Sequence, residues 1–246
     1  MDLKGTLKTI LPDGLVGQYH RLRRERLRAR NSQLPVKEVF TRIYRDNEWH
    51  GVAGEFDSGY GSQTDMAAPY CEAVREFIKA RGVASVLDLG CGDFRVGAGL
   101  QMPNAQYVGV DIVEELVAQN QARYGNENVS FRCLDLIADE LPDADICLVR
   151  QVLQHLSNAQ IASVLTKLKK YRYVLITEHY PAPHLAIAPN LDKPHGSDTR
   201  TFDNSGVYLD APPFNLDGLS LFLEVMATKW LVAPDERIVT FLLENE

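Results

Sequence analysis

The apolar and polar positions of this chain change period several times. From residue 84 onward, short apolar runs alternate with runs at helical spacing. Val86–Leu89, Tyr107–Asp111, Val129–Asp135, Ile146–Val149 and Tyr173–Thr177 read as strands. Between them, Val113, Leu116 and Val117, closed by Gly125, read as a helix. Ser157 caps a second one, with Ile161, Val164, Leu165 and Leu168 on its apolar face. Strands alternating with helices predict a mostly parallel sheet covered on both faces. Trp230–Ala233 and Ile238–Leu243, joined across Pro234-Asp235-Glu236, predict an antiparallel hairpin that brings the sheet to about seven strands. Ahead of the sheet, Tyr70, Val74, Phe77 and Ile78 share one face of a helix stopped at Gly82. Leu15, Tyr19 and Leu22 predict an amphipathic helix running into an arginine-rich segment.

Composition narrows the class. The 246 residues are enough for one sizeable core, and 45% hydrophobic with 24% charged residues excludes a disordered or low-complexity chain. No apolar run approaches the ~20 residues of a membrane span, and the first residues lack a secretory apolar core, so a cytoplasmic protein is expected. Cys71, Cys91, Cys133 and Cys147 stand at no zinc-binding spacing, so neither a metal site nor a disulfide framework is expected. Cys133 and Cys147 lie in strand-like runs and are expected to be buried. Net charge is -7, unevenly spread: residues 1–40 hold nine Lys/Arg against four Asp/Glu, and the rest 17 against 29. An acidic body is a poor nucleic-acid binder, but the arginines of residues 21–30 leave open a contact with RNA or an acidic protein.

The strand ends carry the chemistry. The first strand runs into Asp88-Leu89-Gly90-Cys91-Gly92-Asp93, where glycines let backbone approach a ligand. The second ends in Asp111, 19 residues past Gly92, placed to accept both hydroxyls of a ribose. The third ends in Asp135-Leu136, where an acid accepts from an adenine amino group. A dinucleotide fingerprint needs a third glycine at position 95, which is Arg95, and Asp88 and Asp93 would repel a pyrophosphate. Those carboxylates suit an ammonium group instead. S-adenosylmethionine combines ribose, adenine, sulfonium and ammonium. Tyr44, Trp49 and Ser62, in and around the aromatic and glycine-rich stretch 38–62, suit a loop closing over a flat ligand. For proton removal, His155 follows the fourth strand, while Glu178 and His179 are placed just beyond the fifth, at the rim of the crevice.

Val86–Asp93 resembles motif I of the class I, Rossmann-like S-adenosylmethionine-dependent methyltransferases. Val108–Asp111 and Cys133–Leu136 are similar to their second and third motifs, and Leu148–Ser157 to their motif after strand four. The resemblance implies an α/β fold: a seven-stranded, mostly parallel sheet with an antiparallel C-terminal hairpin and helices on both faces. It places a methyltransferase domain at residues 66–246, behind a helical extension and lid at 1–65. It further implies a cofactor site of Asp88, Gly90, Cys91, Gly92, Asp93, Asp111, Ile112, Asp135, Leu136, Arg150 and Gln151, with S-adenosylhomocysteine as product. Ser58–Ser62, Ile43-Tyr44…Trp49 and Pro212-Pro213-Phe214 resemble a bacterial branch associated with glycan or other small-molecule modification. A hydroxyl of such an acceptor is the expected methyl recipient. An RNA or protein acceptor, a nicotinamide-dependent oxidoreductase and a non-catalytic S-adenosylmethionine binder remain alternatives.

Overall fold

The computed structural model describes residues 13–49, 55–102, 104–227 and 233–245. Seven strands form one sheet: β1 Ser85–Leu89, β2 Gln106–Asp111, β3 Val129–Cys133, β4 Ile146–Arg150, β5 Tyr173–Tyr180, β6 Leu219–Met226 and β7 Arg237–Glu244. Their order is β3-β2-β1-β4-β5-β7-β6, with β7 antiparallel to both neighbours and all other pairs parallel. Both faces are covered, so the central strands are apolar on both sides. Val86, Tyr107, Ile146, Leu148 and Leu175 pack into one core cluster, and Leu87, Leu89, Val110, Cys147, Val149 and Ile176 into the other.

Six α-helices are described: α1 Asp13–Asn31, α2 Val36–Arg45, α3 Thr64–Arg81, α4 Arg95–Leu100, α5 Glu114–Tyr124 and α6 Asn158–Leu168. α3 ends where expected, with Gly82 in the left-handed region at φ 62°. α6 begins on a full capping box between Ser157 and Gln160. None of the described helices is long and apolar enough to cross a membrane.

Four expectations change. β5 runs on to Tyr180, so Glu178 and His179 lie inside it, paired with Val239 and Ile238 of β7. The strand before β7 is Leu219–Met226, while residues 230–232 of the anticipated one lie outside the described residues. Cys133 is exposed, whereas Cys147 is buried. α1 does not bury an apolar face, for Tyr19 and Leu22 are 63% and 54% exposed, and the side chain of Leu15 lies outside the described residues.

α2 is held differently. Val39 and Ile43, one turn apart, are fully buried, each burial being worth ~1.5–3 kcal/mol. Tyr44 packs on Val113 and Leu116 at the head of α5. This fixes α2 beside the C-terminal ends of β1 and β2. The crevice between β1 and β4, where strand order reverses, is the place an open α/β sheet offers a ligand.

Candidate active site

A cavity of about 950 Å³ opens at those strand ends. It sits near the top of the ~300–1,000 Å³ range of ligand pockets. The strand-end residues Asp88, Gly90, Cys91, Gly92, Asp93, Asp111, Ile112, Asp135, Leu136, Arg150 and Gln151 all line it, together with Tyr44, Trp49 and Ser62.

The loop after β1 is built for close backbone approach. Gly90 and Gly92 have φ 72° and 55°. A Cβ at Gly92 would stand 2.2 Å from Ser58 Oγ, and one at Gly90 2.5 Å from a methyl of Val152. Ser58 is clamped to this loop in both directions. Its N–H donates to Asp93 Oδ2 at 3.0 Å, and its Oγ accepts from the Asp93 N–H at 2.8 Å. Tyr44 stands 3.1 Å away, oxygen to oxygen, and packs edge-on against Trp49 and Phe56. The aromatic stretch is therefore tied to motif I. Ser58 and Asn120, whose Nδ2 donates to the Gly92 carbonyl at 2.7 Å, were not among the expected site residues. An asparagine on a helix face carries no sequence signal for such a role.

The acids differ in surroundings. Asp111 is buried and accepts from the N–H groups of Gly92 and Val113 at 3.2 and 3.1 Å. Burial pushes its carboxyl up to about 6 against those donors. Asp88 accepts from the Tyr107 hydroxyl at 2.6 Å, and burial raises it likewise to about 6. Burial also raises Asp93, with Arg95 beside it. Asp135 is half-buried, its carboxylate held by the Ile137 N–H at 2.8 Å. Arg150 closes the cavity from the end of β4. Its guanidinium lies 5.0 Å from the Tyr70 ring centre, and Nε and Nη2 are buried without a hydrogen-bond partner among the described residues. Burial depresses its pKa.

Residues 86–171 match the family model for a methyltransferase domain. Over that third of the chain it is similar to a methyltransferase domain. Among curated proteins, malonyl-[acyl-carrier protein] O-methyltransferase of Bacillus cereus is 28% identical over 115 residues, 46% of this chain and 43% of that protein. The chain thus spans under half the length of that relative. Two solved structures share the fold. N-methyltransferase NodS from Bradyrhizobium japonicum WM9, in complex with S-adenosyl-l-homocysteine, matches with TM-score 0.53 at 12% identity, over 74% of this chain and 88% of that one. Magnesium protoporphyrin IX methyltransferase from Synechocystis PCC 6803, with bound SAM, matches with TM-score 0.51 at 21% identity, over 86% and 98%.

The three candidate bases separate. His155 lines the cavity between Trp49 and Phe40, with ring centres at 5.5 and 6.5 Å. Its Nδ1 lies 3.0 Å from the Gly196 carbonyl, which only accepts, so Nδ1 carries the proton. Nε2 is left to accept from Gln154 at 3.3 Å. Burial, reinforced by Lys193, pushes His155 down to about 4, so the imidazole is neutral. His179 also lines the cavity, its Nε2 3.1 Å from Glu236 but not aligned as a hydrogen bond. Glu178 is corrected. It does not line the cavity; its carboxylate accepts from the N–H groups of Leu153 and Gln154 at 2.8 and 3.1 Å, capping the short 3₁₀ turn Leu153–His155.

The arginine-rich segment divides. Arg28 bridges Asp198 and Asp203, both at 2.5 Å, tying α1 to the loop between β5 and β6. Arg21 pairs with Glu25 on an exposed face. Arg23 and Arg24 face the cavity.

Proposed function

We propose that this protein transfers a methyl group from S-adenosylmethionine to a small-molecule acceptor, a glycan included, at an oxygen. The observation that supports this most is the polar set around the cavity. It joins a glycine cradle, a ribose-type acid at Asp111, an adenine-type acid at Asp135 and a buried guanidinium at Arg150 whose Nε and Nη2 have no hydrogen-bond partner among the described residues. Asp88 and Asp93 suit an ammonium, and Arg150 suits a carboxylate, the two charged ends of an amino acid. The residues present fit the cofactor on those grounds.

When bound, S-adenosylmethionine supplies a methyl group on a positively charged sulfur. The chain's part is to bind, orient and exclude water. Asp111, held by two backbone donors, presents its remaining lone pairs to a diol. Trp49 and Tyr44 close the cavity from the lid, which we assign to residues 1–65. A neutral His155, with its Nε2 toward Gln154, is a weak proton acceptor, and we assign it to orienting the acceptor hydroxyl first and to accepting its proton second.

The test is calorimetric titration with S-adenosylhomocysteine, S-adenosylmethionine and NAD, on wild type and Asp111→Ala. Micromolar binding of the first two, none of NAD, and a loss of about tenfold to a hundredfold in the variant are expected. NAD binding instead would return the oxidoreductase alternative. Binding without turnover on any hydroxylated acceptor would return the non-catalytic one.

A further inference from the structure

Part of the cavity wall lies away from the strand-end residues that carry the cofactor reading. It is built from α1, α2, the turn that follows α2 and the loop at 197–202, and its composition is specific. Leu27, Phe40, Trp49 and Phe202 give an apolar and largely aromatic surface. Arg23 and Arg24 stand at its edge, and Arg24 stacks 4.9 Å from the Phe202 ring centre.

The charges on this wall do not cancel. Asp198 is satisfied by Arg28 and lies 3.5 Å from the buried Lys193. Asp203 is satisfied by Arg28, and Glu48 accepts from the Ser197 hydroxyl at 2.6 Å. Arg21 is satisfied by Glu25 on the outer face. Arg23 and Arg24 have no carboxylate within ion-pair distance among the described residues. His20, Arg23, Arg24 and Leu27 recur at the i, i+3, i+4, i+7 spacing of one helix face, and all four line the cavity. That spacing also explains why Tyr19 and Leu22 are left in solvent: the inward face of α1 is cationic rather than apolar.

The geometry points to an acceptor site for an anionic compound with a flat apolar body, its carboxylate or phosphate held by Arg23 and Arg24 and its ring set among Phe40, Trp49 and Phe202. This rests on the methyl-transfer reading for the neighbouring part of the cavity. Guanidinium groups pair with planar carboxylate and phosphate oxygens, and their stacking on aromatic rings keeps the fork in place.

The experiment titrates phenyl phosphate, 4-hydroxybenzoate and the neutral 4-hydroxybenzamide into the full chain, with and without saturating S-adenosylhomocysteine. It is repeated on Arg23→Gln/Arg24→Gln and on Arg21→Gln. Expected are binding of one or both anions, little binding of the amide, and weakening with added salt. The double variant should lose about tenfold in anion affinity, as two partly exposed ion pairs would. Arg21→Gln, which removes one positive charge from the outer face, should lose nothing. Unchanged S-adenosylhomocysteine affinity in the double variant shows that it is folded. The two anions distinguish a carboxylate site from a phosphate site. Equal binding of the amide, no loss in the double variant, an equal loss in Arg21→Gln, or failure of both anions to bind at millimolar concentration overturns the proposal. Anion binding that survives while S-adenosylhomocysteine fails to bind sinks the methyl-transfer reading and leaves the anion site standing.

Discussion

Arg150 is costly to the apo protein. A buried guanidinium with two unpartnered nitrogens is penalised by desolvation, and the Tyr70 ring offsets only part of that. Replacing such a group by an apolar one of similar length is often neutral or stabilising by ~1–4 kcal/mol. If Arg150 waits for the cofactor's carboxylate, Arg150→Met should raise or preserve the unfolding temperature of the free protein. The same variant should lose about tenfold to a hundredfold in S-adenosylhomocysteine affinity, since a hydrogen bond to a charged group is worth ~1.5–3 kcal/mol. Thermal unfolding with and without ligand measures both. A variant destabilised in both states would make Arg150 structural. At this scale motif I was legible in the sequence because its residues are contiguous and two of them are glycines. Ser58, 34 residues before Gly92, was not, because its role comes only from the chain folding back onto the loop.

Between elements, Glu178 shows why a polar residue after an apolar run misleads. Tyr173–Thr177 carries the strand signal, and Glu178-His179 resembles an exit to solvent. The strand continues because β7 supplies a partner for every residue to Tyr180, and that pairing is not written in local sequence. β6 was missed for the converse reason. It is an edge strand with half-exposed positions, so Leu219–Met226 lacks the buried apolar run of the inner strands, although Asp217-Gly218 marks its start. Glu178 uses both carboxylate oxygens to accept backbone N–H groups of the 3₁₀ turn, and that turn positions Gln154 and His155. Burial pushes its pKa up to about 8, with those donors opposing. Glu178→Gln keeps the shape but turns an NH₂ toward one of the N–H groups. It should cost ~1–3 kcal/mol, or roughly 2–12 °C in unfolding temperature for a chain of this size. Turnover should fall through displacement of His155, while S-adenosylhomocysteine affinity changes little. An unchanged unfolding temperature would show that the turn holds without this cap.

For the whole molecule, the acids that make the crevice also set its pH response. Asp88 and Asp111 are both raised to about 6 by burial, against an ordinary value of 3.8. For a carboxyl raised in the folded state, the favourable contribution is complete below the unfolded value. It is lost as pH rises through about 6, because the folded chain must then hold buried charge. The loss is on the order of 2–3 kcal/mol for each group. A ligand diol reverses the preference at Asp111, since its hydroxyls donate to the ionised form. Below about pH 6 a proton must therefore leave as the ligand enters, and above it none need do so. The rise in unfolding temperature caused by S-adenosylhomocysteine should be small near pH 5 and grow toward about pH 7.5. Calorimetry in buffers of different ionisation enthalpy should detect proton release near pH 5.5 and none near pH 8. Asp111→Asn should weaken binding at every pH and flatten this dependence, leaving only the part that belongs to Asp88. A pH-independent ligand shift in the wild type would mean that neither carboxyl meets the ligand in its ionised form, and the assignment of Asp111 to the ribose would fall.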